Sequence, residues 1–109
     1  MNFSIVYSLE FEREIKKLAK KYPSLKKDFA LFLESLRQNP LQGNSLGNSI
    51  YKIRFLISSK NTGKSGGARV ITFVRITENE IILISIYDKS ARSTITDKEI
   101  KERLKRYLL

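Results

Sequence analysis

The sequence predicts an α+β domain with elements in the order β-α-α-β-β-β-α, and three observations carry that prediction. Two consecutive stretches before residue 40 repeat their apolar residues at helical spacing. Three runs after residue 50 are alternating or rich in β-branched residues. A capping signature at Thr96 opens a last helix.

Taken in order, residues 2–7 (NFSIVY) alternate Phe3, Ile5 and Tyr7 with Asn2 and Ser4, a short strand pattern. Ser8 is a suitable N-cap. Phe11, Ile15, Leu18 and Tyr22 then mark one face of a helix over about 8–21, with Glu and Lys on the other. Pro23 suits the start of a second helix. Leu25, Phe29, Phe32, Leu33 and Leu36 form its apolar face, and Asn39-Pro40 ends it. The short connection implies an antiparallel helical hairpin.

Residues 41–49 (LQGNSLGNS) are expected as a loop. YKIRFLI (51–57) alternates, ARVITFVRI (68–76) is β-branched, and IILISIY (81–87) is almost wholly apolar, as a central strand is. Thr77–Glu80 is short enough to join the last two as a hairpin. Thr96-Asp97-Lys98-Glu99 is a capping box, followed by Ile100, Leu104 and Leu108 on one side of a helix. With no repeat, low-complexity tract or linker, residues 1–109 are expected as one domain. Leu18, Phe29, Leu33, Ile53, Val70, Leu83 and Ile86 are expected in one core.

The composition narrows the chemistry. No apolar run approaches the ~20 residues of a spanning helix, and MNFSIVYSLEFER lacks the features of a leader peptide, so a cytoplasmic protein without membrane contact is expected. There is no cysteine and no histidine, which removes disulfides, thiolate nucleophiles and imidazole acid–base pairs and argues against zinc. Glu10 and Glu14 look like an ordinary charged helix face, and no metal or other cofactor is expected. Catalysis, if present, falls to Lys, Arg, Tyr, carboxylates or backbone groups.

Charge points to the partner. The chain carries 21 Lys and Arg against 11 Asp and Glu, a net charge of +10. Between Glu34 and Glu78 there is no acid, while Arg37, Lys52, Arg54, Lys60, Lys64, Arg69 and Arg75 all fall there. A solubilising surface mixes signs, whereas an unbalanced segment makes a field that attracts phosphates, with RNA the preferred polyanion.

In a strand, Tyr51, Ile53, Phe55 and Ile57 face one way and Lys52 and Arg54 the other, ~6.6–7 Å apart. That spacing suits two cations on one phosphodiester, and also an ordinary polar sheet face. The segment 58–67 (SSKNTGKSGG) contains Gly-Lys-Ser but is not a nucleotide-binding P-loop: Ser58 stands where that pattern needs glycine, and a strand follows rather than a helix. It reads as a basic hairpin loop in which Lys60 and Lys64 add charge and Gly66 and Gly67 let backbone N–H groups approach phosphates; a plain connector is the alternative. Arg69 opens the next strand, Arg75 lies near its end, and Lys89 follows the last one. Whether Arg54, Arg69 and Lys89 converge depends on strand register. Tyr87 is either a base-stacking platform or a buried tyrosine.

These features together resemble the RelE-like toxins of type II toxin–antitoxin modules. The resemblance rests on the element order, Tyr51-Lys52-Ile53-Arg54, the Lys60 to Ile71 segment and Ile86-Tyr87-Asp88-Lys89. It spans nearly the whole chain and is nearest the HigB-like branch, which carries a lysine- and glycine-rich hairpin loop. It implies a small twisted antiparallel sheet with the helical hairpin on one face. It also implies a ribosome-dependent mRNA endoribonuclease (an mRNA interferase) acting without metal through attack of the RNA 2′-hydroxyl. Lys52 and Arg54 would match the family's basic strand positions, Arg69 its phosphate-gripping arginine, and Lys89 a further active-site arginine within one residue. Where better-known members carry a tyrosine, this chain reads around Ile95, leaving Tyr87 as a substitute. The implied partners are mRNA on the ribosome, with ribosomal RNA contacts, and an antitoxin. The antitoxin would be a helix-turn-helix protein with an acidic segment, and operator DNA would be reached only through it. The competing readings are a ParE-like gyrase-inhibiting toxin of the same fold and a non-catalytic RNA-binding module.

Overall fold

The computed structural model describes residues 3–60, 67–92 and 94–107. Strand β1 (Ser4–Tyr7) leads into helix α1 (Leu9–Lys21), and helix α2 (Leu25–Gln38) completes the hairpin. Strands β2 (Asn44–Gly47), β3 (Ile50–Phe55), β4 (Ala68–Arg75) and β5 (Glu80–Asp88) follow, then helix α3 (Asp97–Leu104). The caps are the expected ones. The Ser8 side chain accepts from the Phe11 N–H, and Thr96 and Glu99 close a reciprocal capping box. The second helix starts two residues after Pro23.

The five strands form one sheet in the order β1-β5-β4-β3-β2. Neighbours are antiparallel except β1, which runs parallel to β5 from Ser4 opposite Glu80 to Tyr7 opposite Leu83. Helices α1 and α2 cover one face. Phe11, Leu18, Leu25, Phe32 and Leu36 are buried there against Ile53, Phe55, Val70, Val74, Ile81, Leu83 and Ile86, with Phe29 and Leu33 partly buried beside them. The expected core is therefore one cluster. On the other face α3 and Ile95 cover Ile71, Ile82, Ile84 and Tyr87. The expected contact of Leu108 lies outside the described residues. Among the described residues no helix is long and apolar enough to cross a membrane.

Two expectations are corrected. Residues 41–49 contain strand β2, which alternation could not reveal because all four of its residues are exposed. Backbone conformation builds it: Gly43 has φ +96, and a Cβ there would lie 2.6 Å from the Lys52 carbonyl oxygen. The third strand stops at Phe55 rather than Ile57, because the chain turns into a 3-10 helix (Ser58–Lys60). Asp28 holds that turn, accepting from the Ser58 N–H at 2.8 Å, the Ser58 hydroxyl at 2.6 Å and the Ser24 hydroxyl at 2.7 Å.

A register shift between Ile71 and Thr72, whose partners are Ser85 and Leu83, leaves Ile84 as an extra residue on β5. The backbone groups it frees are used: the Ile84 carbonyl accepts from Ser8 Oγ at 2.9 Å and Arg103 at 3.2 Å. The Ile86 N–H donates to Glu14 at 3.2 Å, and Arg103 donates to Glu14 at 3.1 Å. Burial pushes the Glu14 carboxyl up despite the Arg103 charge. This bulge shifts the pairing ahead of the last four residues of β5, which lead to the site.

Candidate nucleic-acid interface

The site follows from alternation on β3 and register with β4. Ile53 and Phe55 point into the core under the helices, so Lys52 and Arg54 project from the opposite face. Arg54 stands opposite Arg69, and Arg69 opposite Tyr87. Beyond the end of β5 the Lys89 N–H donates to the Gly67 carbonyl at 3.1 Å, joining the two strand ends. The result is a depression of about 270 Å³ lined by Asn44, Lys52, Arg54, Arg69 and Lys89. Among the described residues, four of its five lining residues are cations and none is a carboxylate, so it attracts anions.

The four cations differ in exposure. Arg54 is exposed and Lys52 half-buried, with Lys52 Nζ 3.5 Å from Thr94 Oγ1. Arg69 is buried, and its guanidinium donates to the Ala68 carbonyl at 3.0 Å. A buried guanidinium is pre-oriented by its surroundings, which suits a planar donor to phosphate.

The other expected contacts are distributed differently. Lys60 does not face this depression: its ammonium is 2.6 Å from Asp88 Oδ1 and 3.2 Å from Ser90 Oγ, and its side chain is 11% exposed. Asp88 neutralises this cation inside the fold, in a pair with close geometry whose carboxylate is also satisfied by Tyr22 and Ser90. Arg75 lies at the far end of β4, opposite Glu80, and donates to Glu80 and to the Tyr107 carbonyl, both at 3.2 Å. Tyr87 is buried among Ile71, Ile95 and their neighbours, with the Arg92 guanidinium 5.8 Å from its ring centre. No face of it is open to a base, which corrects the stacking expectation. Gly67 is buried and joins Lys89 as described. Lys64 and Gly66 lie outside the described residues.

Asn44 and Asp88 were not anticipated from sequence. Asn44 reaches the depression only because β2 pairs with β3, Asn44 opposite Lys52. Asp88 lies on the helical side of the β5 end, where it accepts from the Tyr22 hydroxyl at 2.5 Å, from Lys60 and from Ser90. Burial raises its carboxyl, but the Lys60, Tyr22 and Ser90 hydrogen bonds outweigh that and hold it well below the usual carboxylate range. The one available signal was its position as the sole acid between Glu80 and Asp97. Among the described residues no group of three or more acidic side chains is placed to hold a metal ion.

Residues 10–107 match the family model described as the RelE toxin of the RelE/RelB toxin–antitoxin system. An arginine-to-alanine double mutant of E. coli toxin RelE in the free state superposes with TM-score 0.61 at 20% identity, covering 100% of both chains. The intact E. coli RelBE toxin–antitoxin complex gives TM-score 0.51 at 24% identity, covering 79% of this chain and 95% of that one. The isolated E. coli RelE toxin gives 0.50 at 21% identity over 97% and 99%. These structural likenesses establish the shared fold. No curated protein matches the chain by sequence.

Proposed function

The chain belongs to the RelE family of toxins, and we propose from that premise that it cuts mRNA on the ribosome and is silenced by a cognate antitoxin. The carrying observation is the acid-free depression that gathers Lys52, Arg54, Arg69 and Lys89. In the proposed reaction the RNA 2′-hydroxyl attacks the adjacent phosphorus and the 5′-oxygen leaves, giving a 2′,3′-cyclic phosphate and a 5′-hydroxyl. Charge grows on the non-bridging oxygens as the phosphorane forms. Arg54 and Arg69, which do not deprotonate, stabilise that charge with donors placed in advance. Proton transfer therefore falls to the lysines, Lys52 or Lys89, at the attacking and leaving oxygens.

The proposed site of action is the cytoplasm. The lysine- and glycine-rich stretch before Arg69 supports placement in the HigB-like branch. The antitoxin is proposed as a helix-turn-helix protein whose acidic segment complements the cationic depression. The test is to add the protein to a cell-free translation system and map mRNA ends. New 5′-hydroxyl ends at translated codons are expected. Intact message alongside inhibited DNA gyrase would replace this reading with that of a gyrase poison.

A further inference from the structure

We propose that Asp88, together with Tyr22, is a positioning residue that sets Lys89 at the phosphate site and keeps Lys60 off the RNA, an inference that rests on the ribonuclease reading. Asp88 ends β5 one residue before Lys89. Its carboxylate is 4% exposed and takes donors from three separate parts of the chain. Tyr22, the C-cap of α1, donates its hydroxyl to Oδ2 at 2.5 Å. Lys60, in the turn after β3, donates to Oδ1 at 2.6 Å. Ser90 donates to Oδ1 with its N–H at 3.0 Å and its hydroxyl at 2.7 Å. Lys21 lies 3.6 Å from Oδ2 at the surface.

Two consequences follow for the site. The Ser90 bonds form an Asx turn that bends the chain around Lys89, while the Asp88 carbonyl accepts from the Ala91 and Arg92 N–H groups at 3.0 and 3.1 Å. Lys89 is itself tied to Gly67, so its backbone is held from both sides. Tyr22 anchors this turn to the helical hairpin packed on the sheet. The second consequence concerns charge. Lys60 belongs to the acid-free basic stretch, yet its charge is neutralised on the helical side. Among the described residues the phosphate thus meets Lys52, Arg54, Arg69 and Lys89 without Lys60, which favours one productive geometry.

The experiment compares wild type, Asp88→Asn and Tyr22→Phe in single-turnover cleavage on programmed ribosomes, equilibrium RNA binding across a salt series, and thermal melting. Asp88→Asn should slow cleavage roughly tenfold to a hundredfold, the size expected for a small misplacement of a reacting group. Its RNA binding should be undiminished, with a salt slope steeper by about one unit because Lys60 is released. Tyr22→Phe should slow cleavage less and leave the slope unchanged. A merely structural role would weaken binding and cleavage together and leave no steeper slope, which overturns the proposal. So does a folded Asp88→Asn protein that cleaves at the wild-type rate. Should Asp88→Asn fail to fold, Tyr22→Phe decides by the same split between cleavage and binding, and an unchanged rate overturns the proposal. Wild-type protein that leaves message intact overturns the ribonuclease reading and this inference with it.

Discussion

Arg54 stands directly opposite Arg69 across the antiparallel β3–β4 pair. Opposed residues of such a pair have Cβ atoms about 4.5–5.5 Å apart, and like charges there are destabilising. Lys52 projects from the same face two residues along, and Lys89 lines the same depression. A repulsive arrangement of this kind is relieved by a bound anion. The site is thereby set to gain most when phosphate charge is greatest.

Arg54→Ala and Arg69→Ala should each lower the cleavage rate by ~10²–10³-fold, as loss of one positioned donor does, with much smaller losses in ribosome binding. The double mutant should be less than additive, because both donors serve one phosphate. Arg54→Ala should leave thermal stability unchanged or raise it, since it removes the opposed charge. Single-turnover cleavage and melting curves check both statements, and equal losses in binding and rate would contradict the first.

Lys60→Ala and Lys52→Ala should separate cleanly. Lys60 is tied to Asp88, so its loss should leave the salt slope of RNA binding unaltered. It should destabilise the fold by about 1.5–3 kcal/mol, the worth of one hydrogen bond to a charged group, because Asp88 keeps Tyr22 and Ser90. Lys52→Ala should do the reverse, flattening the slope by about one unit with little effect on stability. A flatter slope for Lys60→Ala would show that its ammonium reaches phosphate after all.

Acid should act through Asp88. Its carboxyl is depressed in the fold, where burial is outweighed by Lys60, Tyr22 and Ser90. A depressed acid contributes stability that is full above its unfolded value, ~3.9, and is lost as pH falls toward the folded value. Urea unfolding of wild type and Asp88→Asn should therefore show a gap that is constant from pH 7 to about 5 and narrows below about 4. A gap that widens in acid would contradict the assignment.

Tyr87→Phe should be tolerated. The Tyr87 hydroxyl is buried with no hydrogen-bond partner among the described residues, so removing it should leave stability unchanged or raise it by up to about 1 kcal/mol. RNA affinity and cleavage should not change. Tyr87→Ala should cost roughly 3–5 kcal/mol through the cavity it leaves beside Ile95 and Ile71. Denaturant melts and binding isotherms check this pair, and a large loss of affinity in Tyr87→Phe would restore the hydroxyl to the interface.

Much of the scaffold was determined by the sequence alone, because the signals are local. The spacing of Phe11, Ile15 and Leu18 specifies a helix face, and Thr96 with Glu99 specifies a helix start. The alternation of Ile53 and Phe55 with Lys52 and Arg54 puts the two cations on one side whatever the strand pairs with. The acid-free run from 35 to 77 marks where positive potential concentrates. Only the tertiary structure decided what those cations meet. Register brought Arg69 opposite Arg54. Pairing with β2, invisible in an all-exposed segment, added Asn44. The packing of Ile95 and α3 sealed Tyr87 away from solvent, and Asp88 took Lys60 from 28 residues away. Periodicity is written in neighbouring residues, whereas register and the pairing of charges are settled between distant segments, by which side chains the fold places within hydrogen-bonding distance.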